Sequence, residues 1–151
     1  MNKTKISTSC VIEHEGKILM IQEEQNGKIS WDIPAGGLDT GETIFQGIKR
    51  EVLEETGITL LADPVHKRFF QYIETDKTTI NFLFFIELES LPETHSNNQG
   101  TDEDIINIDW FDKEAVIKMI NTDSTENNLA TARLRTWVDG FTNIEISVIS
   151  E

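Results

Sequence analysis

Apolar and polar residues alternate along several short stretches of the chain, which is the pattern of β-strands that bury one face. The first stretch covers residues 4–13, and a glycine-containing turn separates it from a second over 18–21, so a hairpin opens the fold. Residues 82–86 are apolar at every position, which indicates a central strand covered on both faces. The remaining predicted strands cover 31–33, 58–61, 66–74, 79–89, 105–111 and 144–148, and residues 23–28 are predicted to form a polar loop.

Apolar residues spaced three or four apart predict three helices, over residues 43–56, 113–120 and 129–138. In the first helix, Ile44, Ile48 and Val52 form a stripe that must pack on another element. Strands interspersed with helices predict an α/β fold in which a mixed sheet lies between helices. The length of the chain predicts a single domain over residues 1–151.

Local signals mark where these helices begin and end. Thr40 or Thr43 is expected to cap the start of the first helix, and Gly57 stands where a left-handed residue would end it. Asp112 is the expected cap of the second helix, and Gly140 closes the third.

The second face of the first helix is chemically unusual. It carries Glu51, Glu54 and Glu55 in the last turn, where the helix macrodipole is negative and carboxylates are disfavoured. Like charges three or four residues apart also repel each other. A divalent cation would reverse both effects, because Mg²⁺ and Mn²⁺ bind carboxylate oxygens. This face is therefore either a Mg²⁺ or Mn²⁺ site or a solvated acidic helix end, and an isolated Glu-Glu pair would favour the second interpretation.

The spacing of the residues around these carboxylates resembles the signature of a known family. Gly36, five residues, Glu42, seven residues and then R-E-V-L-E-E-T-G-I at 50–58 match every fixed position of the Nudix box, G-x5-E-x7-R-E-U-x-E-E-x-G-U, in which U is apolar. The sequence W-x-x-P-A-G-G precedes the box, and I-x-x-x-x-W-F follows it. The chain therefore resembles the Nudix, or MutT-like, hydrolases over most of its length, and the resemblance implies a Nudix α/β/α sandwich.

Further patterns narrow the resemblance. C-V-I-x-x-x-G-K before the box, W-x-x-P-A-G-G-L leading into it and F-L-F-x-I-E-L-E after it are similar to the small bacterial Nudix phosphatases that act on nucleoside tri- and diphosphates and on thiamine-pyrimidine pyrophosphate. The implied activity is Mg²⁺-dependent cleavage of a phosphoanhydride, or pyrophosphate, bond in a small nucleotide-like substrate. The implied cofactor is Mg²⁺ or Mn²⁺.

The resemblance also implies roles for individual residues of the box. Glu54 and Glu55 correspond to the central metal ligands, and the backbone carbonyl of Ala35 to a further one. Glu51 is either a ligand or the general base. Arg50 is expected to orient the site by pairing with Glu42 or Glu51, and Glu42 itself is either structural or a more distant ligand.

A further acid in the family comes from the segment just before I-x-x-x-x-W. Asp102, Glu103 and Asp104 are the candidates, and Asp104 matches best in register because it directly precedes Ile105. The alternative is that this segment is a solvated acidic loop.

Substrate-binding residues are less well marked. Trp31 and Phe70 are candidates for stacking on a base, and Arg133 is a candidate for contacting a phosphate. The alternatives are core packing for the two rings and an exposed helix face for the arginine.

Composition restricts the partners. The chain has 27 acidic and 13 basic residues and a net charge of −14, which disfavours nucleic acid as a partner because Lys and Arg supply most of that affinity. The partner expected from this composition is a small nucleotide or pyrophosphate substrate whose phosphates are bound mainly through a metal ion. One cysteine, the lack of a signal sequence and the lack of a long apolar run predict a cytoplasmic protein without a membrane segment. Monomer and homodimer both remain open.

Two other functions are compatible with the same fold. An ADP-ribose or dinucleoside polyphosphate pyrophosphatase is one, but Pro64 comes too early and Tyr72 slightly too early for the residues that mark those groups. A non-catalytic ligand sensor is the other, and such proteins typically lose box carboxylates that this chain retains.

Overall fold

The computed structural model describes residues 3–96, 104–122, 129–142 and 147–150. Within these ranges eight strands and three helices are present. In chain order they are β1 (Lys3–His14), β2 (Lys17–Gln25), β3 (Lys28–Asp32), β4 (Ala35–Gly37), α1 (Ile44–Thr56), β5 (Val65–Ile73), β6 (Lys77–Glu87), β7 (Asp104–Asp112), α2 (Lys113–Thr122), α3 (Leu129–Val138) and β8 (Ser147–Ser150).

The strands form one mixed sheet in the order β3-β2-β1-β6-β5-β8, with β7 paired to β2 and β4 paired to β1. Strands β1 and β6 run parallel along their whole length, and β5 and β8 are also parallel. The central position of β6, between β1 and β5, confirms the prediction from its apolar run. The helices cover both faces of the sheet, so the predicted α/β/α sandwich is confirmed.

Successive residues of β1 point to opposite faces and enter two separate cores. Cys10 and Ile12 pack with the α1 residues Ile48 and Val52. Val11 lies in the other core, whose buried members include residues of α2 and α3: Val116, Ile120, Leu134 and Trp137. The free thiol of Cys10 is fully buried, and burial raises its pKa.

The sheet opens between β1 and β2. These two strands pair only at their hairpin end, where Glu13 lies opposite Ile18 and His14 opposite Lys17. Further along the same edge of β1, its partner is β4, with Ser9 opposite Ala35. This change of partner brings the short strand β4 into the sheet beside α1.

Two predictions about local structure are wrong. Residues 58–61 are not a strand; Ile58 and Leu60 are buried against the α1 side of the sheet, so their apolar alternation reflects packing and not strand pairing. Residues 23–28 are not a loop, because β2 and β3 form a hairpin around Asn26 and Gly27, which have φ values of 52° and 76°. Asn-Gly is the preferred sequence of such a tight turn.

The other boundaries agree closely with expectation. Asp112 caps α2 by accepting a 2.8 Å hydrogen bond from the Ala115 N–H. Gly140, with φ 73°, follows α3 as predicted. The final strand β8 covers 147–150, and the earlier part of its predicted range lies outside the described residues. Among the residues that the structure describes, no helix combines the length and apolar character needed to cross a membrane.

The end of α1 gives a first testable prediction. Gly57 has φ 77°, and a Cβ added there would lie 2.6 Å from His95 Nδ1. The substitution Gly57→Ala should therefore lower the free energy of unfolding by more than the ~1–2 kcal/mol cost of a left-handed backbone alone. Gly16→Ala is the matched control, since Gly16 has φ 76° with nothing within 4 Å of the added atom. Equal losses in urea unfolding would show that the contact with His95 is unimportant.

Candidate active site

Helix α1 is fixed at both ends by its own sequence. The side chain of Thr43 accepts a 3.1 Å hydrogen bond from the Gln46 N–H, and the Gln46 side chain accepts a 2.9 Å bond from the Thr43 N–H. This capping box decides between the two predicted caps in favour of Thr43. At the other end the Gly57 N–H donates to the carbonyl of Leu53 at 2.9 Å. The last turn of the helix contains no basic residue, so any compensation of its carboxylates must come from elsewhere.

The guanidinium of Arg50 connects most of the charged groups at the site. Its Nε and Nη2 donate to the two carboxylate oxygens of Glu42, at 2.6 and 3.0 Å. Its Nη1 donates to Glu51 at 2.8 Å and lies 3.3 Å from Glu54, and its Nη2 also donates to the carbonyl of Gly37 at 2.9 Å. The predicted pairing with Glu42 or Glu51 is therefore present with both. Only arginine has enough donors in a planar fork for this set of contacts.

Glu42 is held in the loop before α1. Besides Arg50, its carboxylate accepts a 2.9 Å hydrogen bond from the Asp39 N–H. The hydrogen bond from Arg50, followed by that from Asp39, lowers the pKa of Glu42. Conversely, the bond to Glu42 is the largest cause of the raised pKa of Arg50. Both oxygens of Glu42 are thus engaged in structural contacts, which favours the structural alternative for this residue.

Glu55 differs from the other two carboxylates of the last turn because it points inward. It is 5% exposed, and its Oε1 accepts a 2.8 Å hydrogen bond from the Ala35 N–H. Burial raises its pKa to about 10, and the nearby carboxylates of Glu51, Glu23 and Asp32 raise it further against the opposing effect of the Ala35 N–H. Without a cation, the Glu55 carboxyl is therefore protonated near neutral pH.

The glycine turn allows the backbone to approach the carboxylates. A Cβ built on Gly36 would overlap the carboxyl group of Glu51. On the opposite side of the same strand, a Cβ on Gly37 would lie 2.8 Å from Lys5 Cε. Gly36 therefore needs glycine for this close approach, whereas the neighbour of Gly37 is the flexible end of the Lys5 side chain, which can move aside.

These residues fit a hard divalent cation. The available donors are the carboxylates of Glu51, Glu54 and Glu55 and the backbone of Ala35, all oxygen ligands of the kind that Mg²⁺ prefers. Burial is the main cause of the raised pKa of Glu55, and the side chains that act on it in the described part of the chain are carboxylates and not cations. In the described parts of the chain, however, no three ligand side chains converge on one point, because Arg50 holds Glu51 and Glu54 while Ala35 holds Glu55.

The first of the proposed substrate-binding residues, Trp31, lies at the wall of a cavity. Trp31 is partly buried, with its ring 4.8 Å from that of Phe111 in an edge-on arrangement. The cavity has a volume of about 540 Å³ and lies between the β2–β3 hairpin and helices α2 and α3. Its lining includes Glu23, Lys28, Trp31, Asp32, Thr131 and Leu134. Sequence reasoning missed Lys28 and Asp32, although Asp32 directly follows Trp31 in the W-x-x-P-A-G-G pattern.

The structure places the other two substrate candidates in the interior. Phe70 is 2% exposed and belongs to the core beside Leu83 and Leu134, so the alternative of core packing applies to it. Arg133 is 5% exposed and forms a 2.7 Å ion pair with Asp32. The expectation of an exposed face at Arg133 is therefore wrong, because α3 turns this residue towards the end of β3.

The acidic segment before β7 is largely outside the described residues. Asp102 and Glu103 fall outside them entirely. Asp104 is the first residue of β7 and pairs with Glu24 of β2 in the sheet, but its side chain lies outside the described part of the structure. The assignment of one of these acids to the site stays a prediction.

The fold agrees with comparisons to known proteins. The NUDIX domain model matches residues 3–132. This chain belongs to the Nudix hydrolase family. Phosphatase NudJ from Shigella boydii serotype 4 (strain Sb227) is 42% identical over 123 residues, which are 80% of this chain and 76% of that protein.

Solved Nudix structures share the same arrangement of elements. A NUDIX hydrolase from Nitrosomonas europaea superposes with a TM-score of 0.73 at 27% identity, covering 91% of this chain and 90% of its own. A MutT protein from Methanosarcina mazei Go1 has a TM-score of 0.72 at 22% identity, and the match covers 94% of this chain and 98% of that protein. The second likeness concerns the fold alone, and both agree with the mixed sheet between helices.

The burial of Glu55 predicts an unusual pH dependence in the metal-free protein. The pKa of about 10 in the folded state lies above the usual value of 4.5 for a glutamate, so the folded state retains a proton that the unfolded state releases. The stabilisation is therefore complete below the unfolded pKa and is lost as pH rises towards 10. We expect the melting temperature in chelator to fall between pH 6 and 8, with a slope in unfolding free energy of at most about 1.4 kcal/mol per pH unit.

Two variants isolate this effect. Glu55→Gln removes the titrating group and should flatten the slope, whereas Glu114→Gln, on the exposed surface of α2, should leave it unchanged. Identical slopes in wild type and Glu55→Gln would contradict the burial of an uncompensated carboxyl at this position.

Proposed function

We propose that this Nudix hydrolase is a Mg²⁺-dependent phosphohydrolase, also active with Mn²⁺, that cleaves a phosphoanhydride bond in a small nucleotide-like substrate such as a nucleoside di- or triphosphate. The observation that carries this proposal is the buried Glu55 carboxyl, placed beside Glu51 near a glycine turn, with no compensating positive side chain among the described residues that act on it. The name of the NudJ relatives, phosphatase, supports phosphorus chemistry. We also propose that residues 1–151 act as a single unit.

The residues that would hold the cation are Glu51, Glu54, Glu55 and the carbonyl of Ala35, with Asp104 as a further acid from β7. A bound divalent cation neutralises phosphate oxygens and acidifies a water at near-neutral pH. Hydrolysis of a phosphoanhydride depends mainly on such charge neutralisation and on positioning. A set of oxygen donors without basic residues in the last helical turn suits this requirement.

Arg50 is proposed to position the carboxylates. Its two donors to Glu42 fix the guanidinium to the loop before α1, while a third donor faces Glu51 and Glu54. Its bond to the Gly37 carbonyl ties the same group to the glycine turn. The Arg50 side chain therefore connects the loop before α1 to the glycine turn, and these two parts of the backbone must be correctly placed for the site to form. Glu51 is proposed either as a ligand or as the base that accepts a proton from water.

The part of the substrate beyond the phosphates is proposed to enter the 540 Å³ cavity beside Trp31. The carboxylates of Glu23 and Asp32, two of the residues that line this cavity, act on the pKa of Glu55, so the cavity and the carboxylates are close. The indole offers a surface for stacking, and Lys28 offers a positive charge in an otherwise acidic protein. A small molecule fits this volume, and the net charge of −14 disfavours a nucleic-acid chain.

The substitution Glu54→Gln tests the proposed ligand set. It should abolish Mg²⁺-dependent turnover while leaving the melting temperature unchanged or slightly higher, because it removes one repulsive charge from the helix end. Phosphate release from nucleoside di- and triphosphates, ADP-ribose, diadenosine polyphosphates and thiamine-pathway pyrophosphates should be measured with and without Mg²⁺, with product identification. Glu114→Gln, which removes the same charge from an exposed site on α2, is the matched control and should keep the wild-type rate.

Two results would reject this proposal. Turnover that continues in Glu54→Gln at the wild-type rate would exclude the ligand assignment. Wild-type protein that releases no phosphate from any of these substrates in Mg²⁺ would favour a non-catalytic binding role.

A further inference from the structure

The ion pair between Arg133 and Asp32 is an unusually buried charge contact. The guanidinium Nη2 lies 2.7 Å from Asp32 Oδ2, and the Arg133 side chain is 6% exposed. The Nε of Arg133 is buried and has no hydrogen-bond partner among the described residues. Burying a charged pair that is incompletely satisfied contributes little to stability, because the loss of hydration offsets the attraction. Stability alone therefore does not account for this contact.

The contact lies at one end of a chain of interactions that leads to the carboxylates. Asp32 accepts a 2.7 Å hydrogen bond from the Ile33 N–H through its other oxygen. Ile33 is fully buried in the core that also contains α3. The carbonyl of Pro34 accepts a 3.0 Å bond from the Cys10 N–H. The Ala35 N–H then donates to Glu55, so each of the four residues 32–35 is fixed by a different contact.

Arg133 also supplies a positive charge in direct contact with Asp32. Burial raises the pKa of Asp32, and the charge of Arg133 and its hydrogen bond lower it. The carboxylate of Asp32 is in turn one of those that act on Glu55. Loss of Arg133 would therefore both remove the contact that fixes the start of the segment 32–35 and leave an uncompensated carboxylate close to the site.

We propose that Arg133 is a positioning residue that, through its ion pair with Asp32, holds residues 32–35 so that Ala35 faces Glu55 and the acidic site binds a divalent cation tightly. This inference rests on the proposed function. Arg133 directly follows the part of the chain that the NUDIX domain model matches, residues 3–132, so the contact is contributed by the helix at the margin of the family domain. Helix α3 thereby sets the metal affinity of a site to which it contributes no ligand.

The test uses the full chain and Mn²⁺ as the probe. Mn²⁺ affinity is measured by electron paramagnetic resonance of the free ion, alongside the melting temperature and the steady-state constants. Arg133→Met should weaken Mn²⁺ binding by about 10- to 100-fold, the usual effect of removing a group that orients metal ligands. At subsaturating metal concentration kcat should fall while KM stays within about twofold, since Arg133 is not among the residues that line the cavity proposed for the substrate. Arg133→Lys should recover part of the loss by restoring a donor to Asp32.

Two further variants separate positioning from charge and from folding. Arg135→Met removes an exposed arginine of the same helix and should bind Mn²⁺ like wild type. The double variant Asp32→Asn with Arg133→Met removes both charges, so it stays measurable if the single variant is too unstable. Its Mn²⁺ affinity should remain below that of wild type because the tie between α3 and residues 32–35 is still absent.

Three results would overturn this inference. Unchanged Mn²⁺ affinity in Arg133→Met would make the pair purely structural. A raised KM with unchanged Mn²⁺ affinity would place Arg133 in contact with the substrate instead. Recovery of the full wild-type Mn²⁺ affinity in the double variant would show that Arg133 only compensates the charge of Asp32. Failure of the proposed function looks different, since the wild-type protein itself would then bind no Mn²⁺ or release no phosphate.

Discussion

The site depends on the crowding of carboxylates against a backbone turn that has no side chains. The Glu51 carboxyl lies so close to Gly36 that a Cβ at position 36 would displace it. The Glu55 carboxyl accepts a hydrogen bond from the backbone N–H of the preceding residue, Ala35. Such closeness is unfavourable for negative groups in the last turn of a helix. Arg50 offsets part of the repulsion by bridging Glu51 and Glu54, but it makes no contact with Glu55 among those described. Glu55 is therefore the group whose environment most strongly favours a cation.

The glycine turn comes close to these carboxylates because strand β1 pairs first with β2 and then with β4 along the same edge. Because β1 leaves β2 after a short hairpin contact and pairs with β4, the segment after β3 crosses the open edge of the sheet. That crossing carries residues 32–37 between α3 on one side and α1 on the other. The ion pair at Asp32 and the hydrogen bond at Ala35 hold the two ends of the crossing. The geometry of the acidic site is thus set jointly by two helices on opposite faces of the sheet.

Much of this arrangement could be predicted because it is local in sequence. The caps of α1, its apolar stripe and the pairing of Arg50 with Glu42 all join residues within one helix or its adjoining loop. The box spacing placed three carboxylates on one helical turn. It did not show that Glu55 would be buried while Glu54 stays accessible, because that difference depends on β4 lying over one side of the helix.

The features that could not be predicted are of two kinds. Some are contacts between residues far apart in the sequence, and others occur where the local sequence pattern indicates a different structure. Asp32 and Arg133 are 101 positions apart, and nothing in the neighbourhood of either one identifies the other. Phe70 is buried because β5 is covered by α3, which the strand sequence does not reveal. Residues 58–61 have the alternation of a strand, yet Ile58 and Leu60 pack into the core on the α1 side without forming one. The turn at Asn26-Gly27 did have a local sequence signal, because Asn-Gly favours a tight hairpin turn. The polar residues on either side of it instead suggested a loop.

The most direct test is X-ray diffraction from crystals soaked in Mn²⁺, with data collected to detect the anomalous scattering of the metal. If cations belong among these carboxylates, an anomalous peak will lie between Glu51, Glu54, Glu55 and the Ala35 carbonyl. Absence of a peak there at saturating Mn²⁺, with Arg50 still bridging Glu51 and Glu54, would contradict the assignment of this acidic helix end as a metal centre.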